Sequence, residues 1–192
     1  ADKEGTRLVA SAGQALAAAD ERVFAYSVVD GGARILDPGP GVALSQDDEL
    51  GLAYAMAAAG DAVKVAFVRG LLEDGASAHW YAKEGAAIVS LSAWGEPASA
   101  PAEAFVACEM VLQALRKKYP AWDPSVPVHP DARRCWGDSG DGTADLGGKI
   151  RAGDLCPSCR LLFGAAGVDV EGLLGLLHAV RELAERPPAT PS

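Results

Sequence analysis

Two cysteines in a Cys-x-x-Cys pair, Cys156 and Cys159, with Cys135 upstream across twenty intervening residues, constrain this chain more than any other feature. A histidine, His129, precedes Cys135 with five residues between them. Zinc takes thiolates and imidazoles in a tetrahedron, and a structural site is closed by four protein ligands. Thiolates are soft donors that favour zinc over harder cations. The spacing therefore predicts a zinc ion held by His129, Cys135, Cys156 and Cys159, with two ligands from one turn and two from a separate segment. Asp131, Asp138 or Asp145 is an alternative fourth ligand, or a group that orients the histidine.

Competing readings of the cysteines carry their own requirements. Four cysteines in 192 residues are too sparse for a disulfide scaffold. Buried cysteines also serve as small hydrophobes, and Cys108, on the inner stripe of a helix, is read that way. A redox Cys-x-x-Cys opens a helix just after a strand, and Asp154-Leu155 is a poor strand. The first residues, Ala1 to Gly5, do not resemble a secretory signal, so a cytoplasmic location is expected. The chain begins without Met, which fits a processed protein or a domain of a longer one.

The rest of the chain reads as α/β or α+β, with a small sheet of about four strands flanked by helices. A helix is expected over 6–19, where Leu8, Val9, Ala12 and Leu16 keep helical spacing. Val23 to Val29 reads as a strand, with a hairpin turn at Asp30-Gly31-Gly32. Ser45 and Asp48 announce the start of a second helix, running to about Ala59. Strands follow at 63–68 and 86–91, with an excursion over 70–84 that suits an edge hairpin. A helix is expected from Pro101 to Lys118, and an amphipathic one from Asp169 to Glu185, with Leu173, Leu176, Leu177, Val180 and Leu183 inward. Residues 119–160 lack apolar periodicity, and a stretch so long usually needs another constraint, which a metal supplies. The expected organisation is a core domain over 1–118, a zinc-binding subregion over 119–186 packed on it, and a disordered tail over 187–192.

Charge narrows the partners. A formal net charge of −9 opposes binding to nucleic acid, which requires cations to neutralise phosphates, and equally opposes an anionic membrane surface. No apolar run approaches the ~20 residues needed to span a bilayer. A protein partner is the remaining expectation.

Catalytic signatures are incomplete. A zinc deaminase requires His-x-Glu or Cys-x-Glu at a helix start and a later Pro-Cys-x-x-Cys. Here Ala107 occupies the ligand position two before Glu109, and Leu155 precedes Cys156. The chain has no His-Glu-x-x-His and no Gly-x-Ser-x-Gly. Glu109, as a general base, and His79 are the catalytic candidates that remain; His79 also reads as a surface histidine of an edge strand.

The segment Val128-His129, Arg134-Cys135 and Leu155-Cys156-Pro157-Ser158-Cys159-Arg160-Leu161-Leu162 resembles the C-terminal part of archaemetzincin-like zinc proteins. The resemblance covers the last third of the chain. It implies a cysteine-bound structural zinc, with a late Cys-x-x-Cys followed by Arg, beside a catalytic zinc helix. That family's His-Glu-x-x-His helix has no counterpart here, so the resemblance implies a degenerate member that kept the structural metal alone. Three functions are thus expected, in descending order: a zinc-stabilised non-catalytic domain acting through protein–protein contact, a divergent zinc hydrolase of peptidase or deaminase type, and a thiol redox protein using Cys156 and Cys159.

Overall fold

The computed structural model describes residues 3–19, 42–57, 62–74, 76, 78–92, 100–119, 134–137 and 143–186, with the backbone alone at 3–5 and 143–145. The strand expected at 23–29, its hairpin, His129 and the tail over 187–192 lie outside the described residues. The described chain is mixed α and β, with six helices and two small sheets.

Helix α1 spans Lys3–Ala19. Strand β1, Ala43–Leu44, leads into α2, Gln46–Ala57. The start of α2 is fixed by a reciprocal cap. Ser45 Oγ accepts from the Asp48 backbone N–H at 3.2 Å, and Asp48 Oδ2 accepts from the Ser45 hydroxyl at 2.7 Å and the Ser45 N–H at 3.3 Å. Such a cap satisfies donors that the first helical turn leaves orphaned.

Strands β2 (Lys64–Val68), β3 (Leu71–Leu72), β4 (Ala78–Tyr81) and β5 (Ala86–Ser90) follow. The larger sheet has the order β2-β5-β4, with β5 parallel to β2 and antiparallel to β4; β1 and β3 form a separate parallel pair. The expected excursion over 70–84 is resolved into two parts: β3 joins β1, and β4 turns back through Gly85 to flank β5 as an edge strand. Gly85 has φ +59°, which the tight return requires. Because successive side chains alternate across a strand, β5 serves two cores. Ile88 joins Leu44, Leu52, Val68 and Leu72 under α2, whereas Val89 faces the larger core with Val65 and Phe67.

That larger core is organised around α3, Ala102–Lys118. The expected single inner stripe understates its burial: every residue from Ala104 to Val111 is buried. A helix buried all round needs neighbours on all sides, and α3 has them in α1, the sheet, α4 and α6. Its alanines at 104 and 107 permit close approach. Helices α4 (Thr143–Ala152), α5 (Pro157–Ala165) and α6 (Val170–Glu185) complete the chain. Two of these differ from expectation, since 143–165 is largely helical and not irregular. Helix α4 carries Gly147 and Gly148, which weaken any periodic signal. It forms because Ile150, fully buried, packs into the core beside α6. Helix α6 matches the sequence reading: Leu173, Leu176, Leu177, Val180 and Leu183 are all buried, and the Asp169 carboxylate caps it by accepting from the Gly172 N–H at 3.1 Å.

Two substitutions measure these terms. Leu177→Ala removes a fully buried side chain and is expected to cost about 2–5 kcal/mol. Asp169→Ala is expected to cost about 1 kcal/mol through loss of the cap. Urea unfolding followed by circular dichroism checks both.

Candidate metal centre

Two short pieces of chain bring the cysteines together. Cys135 sits in the segment 134–137, preceded by Arg134 with φ +57°, a left-handed backbone rare outside glycine. Cys156 ends the connection from α4 and stands at the N-cap of α5, with Pro157 in the first helical turn. Cys159 follows one turn into α5 and is buried. The three sulfur atoms lie within 4.8 Å of one another. With zinc–sulfur bonds of about 2.3 Å, a tetrahedral site needs sulfurs roughly 3.8 Å apart, so a contraction of an ångström or less accommodates the ion.

The surrounding backbone suits thiolates. The Cys135 sulfur accepts from the Cys156 N–H at 3.1 Å and the Gly137 N–H at 3.4 Å. The Trp136 N–H donates to the Asp154 carbonyl at 3.2 Å, stitching the first segment to the second. Arg160 braces the second segment: its Nε donates to the Leu155 carbonyl at 2.9 Å and its Nη2 meets Asp154 Oδ1 at 2.8 Å. Asp154 Oδ1 also accepts from the Leu155 N–H at 2.7 Å. Four residues in a row, 153–156, therefore run without regular structure yet with defined partners.

Gly153 controls how this segment leaves α4. Its φ is +56°, and a Cβ there would lie 2.8 Å from Arg181 Cβ and 2.9 Å from the Leu177 carbonyl oxygen. Both obstacles belong to α6, and one is backbone. Only glycine allows the connection to press this closely on α6.

The three thiols do not ionise alike. Burial pushes the Cys135 thiol up, opposed by the Cys156 and Gly137 amides. Burial and the two neighbouring thiols push Cys159 far above its ordinary value. Burial also opposes ionisation of Cys156, but the Cys159 amide, the thiols of Cys159 and Cys135 and the Ser158 amide outweigh it and bring Cys156 down to about 7. Three negative sulfurs cannot sit this close without a cation or protons between them. A group of this kind is able to give up protons to a positively charged ligand, as a thiolate metal site does.

The other expected site residues lie elsewhere. His129, Asp131 and Asp138 are outside the described residues, as is the side chain of Asp145. Among the described residues no histidine or carboxylate joins the three sulfurs in the group. Glu109 lies within α3, buried, and its Oε2 accepts from Gln113 Nε2 at 2.9 Å. Desolvation raises its pKa to about 7, against the opposing effects of Gln113 and Arg116. Cys108, one residue earlier, is fully buried, and burial raises its thiol far above the ordinary range. His178 is exposed on α6.

His79 is on edge strand β4 as expected, but it is half-buried and engaged at both ring nitrogens, by Glu49 and by Asp74. Sequence reasoning missed Glu49. The available signal was its place one turn before Leu52 and Ala53 on α2, where a carboxylate on an apolar face requires a buried partner.

A scan against protein-family models finds no match, and searches of curated proteins and of solved structures find none either. The class defined by fold and site is therefore a mixed α and β protein with a three-cysteine group able to hold a metal ion. No helix among the described residues is long and apolar enough to cross a membrane.

Gly153→Ala tests the positioning of the site. The left-handed backbone alone costs an alanine about 1–2 kcal/mol, and overpacking adds about 1–3 kcal/mol. The expected outcome is a fall in stability of at least about 2 kcal/mol in urea, with a matching loss of metal affinity. Gly167→Ala is the control: Gly167 also has positive φ, but nothing lies within 4 Å of its would-be Cβ.

Proposed function

We propose that Cys135, Cys156 and Cys159 bind a structural zinc ion with His129 as the fourth ligand, and that this zinc-stabilised domain is non-catalytic and works through protein–protein contact in the cytoplasm. One observation carries the reading: three sulfurs from two chain segments converge within 4.8 Å, with backbone N–H groups aimed at Cys135. Zinc bound there would cross-link the 134–137 segment to α5, so that its binding energy becomes folding energy for the C-terminal region. Glu109 stands outside the sulfur group, and the nearby Asp154 carboxylate is taken up by the Leu155 N–H and Arg160. Support for a protein partner comes from α5 itself. Leu161 and Leu162 are 76% and 54% exposed, directly after Cys159. A zinc-anchored helix presenting two adjacent leucines is a plain means of contact, since exposed apolar surface gains most by being covered. The acidic charge of −9 argues for a partner other than nucleic acid.

A second reading, thiol redox chemistry, is favoured by one observation: Cys156 opens α5 with its pKa near 7 while Cys159 stays protonated behind it. A Cys-x-x-Cys at a helix start has that asymmetry. The third sulfur distinguishes the two, because a redox pair has no use for Cys135 within 4.8 Å of both partners.

Elemental analysis of protein purified without added metal or a histidine tag is the direct experiment. About one zinc per chain is expected, with Cys156→Ser losing both the metal and the fold of the C-terminal helices. His129→Ala is expected to weaken zinc binding without abolishing it. Acidification is expected to release the ion, because protons compete for the thiolates. A metal-free protein that forms a reversible Cys156–Cys159 disulfide would establish the redox reading instead. For the contact surface, Leu161→Glu with Leu162→Glu is expected to keep zinc and melting temperature while abolishing partner capture that the wild-type chain supports.

A further inference from the structure

A second cluster of ionisable side chains lies on the sheet face that packs against α2. Glu49 of α2 is 1% exposed. Its Oε2 accepts from the Tyr81 hydroxyl at 2.8 Å and meets His79 Nδ1 at 2.5 Å. The other ring nitrogen of His79, Nε2, meets Asp74 Oδ2 at 3.0 Å. Asp74 belongs to the turn between β3 and β4, and its Oδ1 accepts from the Ala76 N–H at 2.9 Å. Glu73, one residue earlier in the same turn, accepts from the Gln46 N–H at 3.1 Å. His79 and Tyr81 project to one face because they are two residues apart on β4.

Proton counting limits what this arrangement can do. A neutral imidazole carries one N–H, and only the charged ring donates from both nitrogens. With a carboxylate at each nitrogen, the neutral ring would set a lone pair against one of them. The two ring nitrogens also point in different directions, so one metal ion cannot take His79 and both carboxylates together. A proton is the ligand that this geometry accommodates.

The two carboxylates differ in what they can do when the ring loses its charge. The Glu49 side chain is shut from water, and its Oε1 is buried without a hydrogen-bond partner among the described residues. Among the described residues its donors are the Tyr81 hydroxyl and the His79 N–H. The Asp74 side chain is 62% exposed and can be hydrated instead. We propose that His79 is a proton-operated latch: charged, it ties the β3–β4 turn to α2 through Asp74 and Glu49; neutral, it keeps Glu49 and lets the Asp74 turn go.

The charged groups around the ring agree with this. From α2 comes Glu49, from the turn Asp74, and from β4 the Tyr81 hydroxyl, by way of Glu49. Glu84, in the β4–β5 turn, acts on Tyr81 electrostatically, and the residue opposite His79 on β5 is the apolar Ile88. Burial and Glu49 hold Tyr81 well above its ordinary range, so it stays a donor throughout. For His79, burial favours the neutral ring, but hydrogen bonds and charge from Glu49 and Asp74 outweigh it and raise the pKa above 6.5. The Ala76 amide and His79 lower that of Asp74 below 3.8. A raised histidine pKa means that the latch is fully closed below 6.5 and opens as pH rises through the folded value. At the acid end the Asp74 side of the latch fails as Asp74 takes a proton, below 3.8.

The test is an NMR titration of the full chain from about pH 5 to about pH 9, a range that spans histidine ionisation. It follows the His79 ring carbon shift and the protection factor of the Ala76 amide, corrected for intrinsic exchange. The expected result is a His79 midpoint above 6.5 and a fall in Ala76 protection with the same midpoint. In Asp74→Asn the His79 midpoint should move down toward 6.5, and Ala76 protection should no longer follow the His79 titration. His79→Gln should likewise make Ala76 protection independent of pH. Should that variant fail to fold, Asp74→Asn, altered only at an exposed side chain, decides alone. Ala76 protection indifferent to the His79 titration, or a midpoint unmoved in Asp74→Asn, would overturn the latch.

Discussion

Close packing of α3 is the constraint on which the rest of this structure depends. Its residues from Ala104 to Val111 are buried on every side, so the sheet, α1, α4 and α6 all take their positions from it. Fully burying a large apolar side chain is worth about 1.5–3 kcal/mol, and Phe105, Val106 and Val111 contribute on that scale. Alanine at 104 and 107 gains less by area but allows neighbouring elements to approach. The core that results runs from Ala12 in α1 to Leu183 in α6. It unites the first and last described helices, which the chain separates by most of its length.

The sulfur group is an outgrowth of that core. Cys135 and Cys159 are members of it, and Cys156 packs on its edge. Three features hold the group in place without any contribution from a metal: the glycine at 153 pressed on α6, the Trp136–Asp154 backbone bond, and Arg160 bracing Leu155 and Asp154. Such support matters because thiolates repel one another. A group assembled by packing bears the cost of convergence before any ligand arrives.

The two clusters divide the molecule by chemistry. On one side soft sulfur donors converge within the main helical core; on the other, hard oxygen and nitrogen groups meet under α2. The first is able to hold a cation in place of protons. The second shares protons among His79, Glu49, Asp74 and Tyr81. Both rest on β5 or α3 as a rigid base, and both place one exposed member at the surface: Asp74 in the turn, and the partly exposed Cys156 at the start of α5.

Local patterns in the amino-acid sequence determined a good part of this. The reciprocal cap at Ser45 and Asp48, the strands at 64–68 and 86–90, the inward leucines of α6 and the kinship of Cys135, Cys156 and Cys159 were all legible, because each depends on residues near one another or on a fixed period. Tertiary structure alone decided other features. Helix α4, with paired glycines and little periodicity, exists because Ile150 is buried beside α6. Helix α3 is buried all round, although its own pattern announced one stripe. Glu49 and His79 meet, thirty residues apart, because β4 folds back along β5 and turns His79 toward α2. Such pairings depend on which faces pack together, and that choice is made by summed burial across the whole chain rather than by any local run of residues.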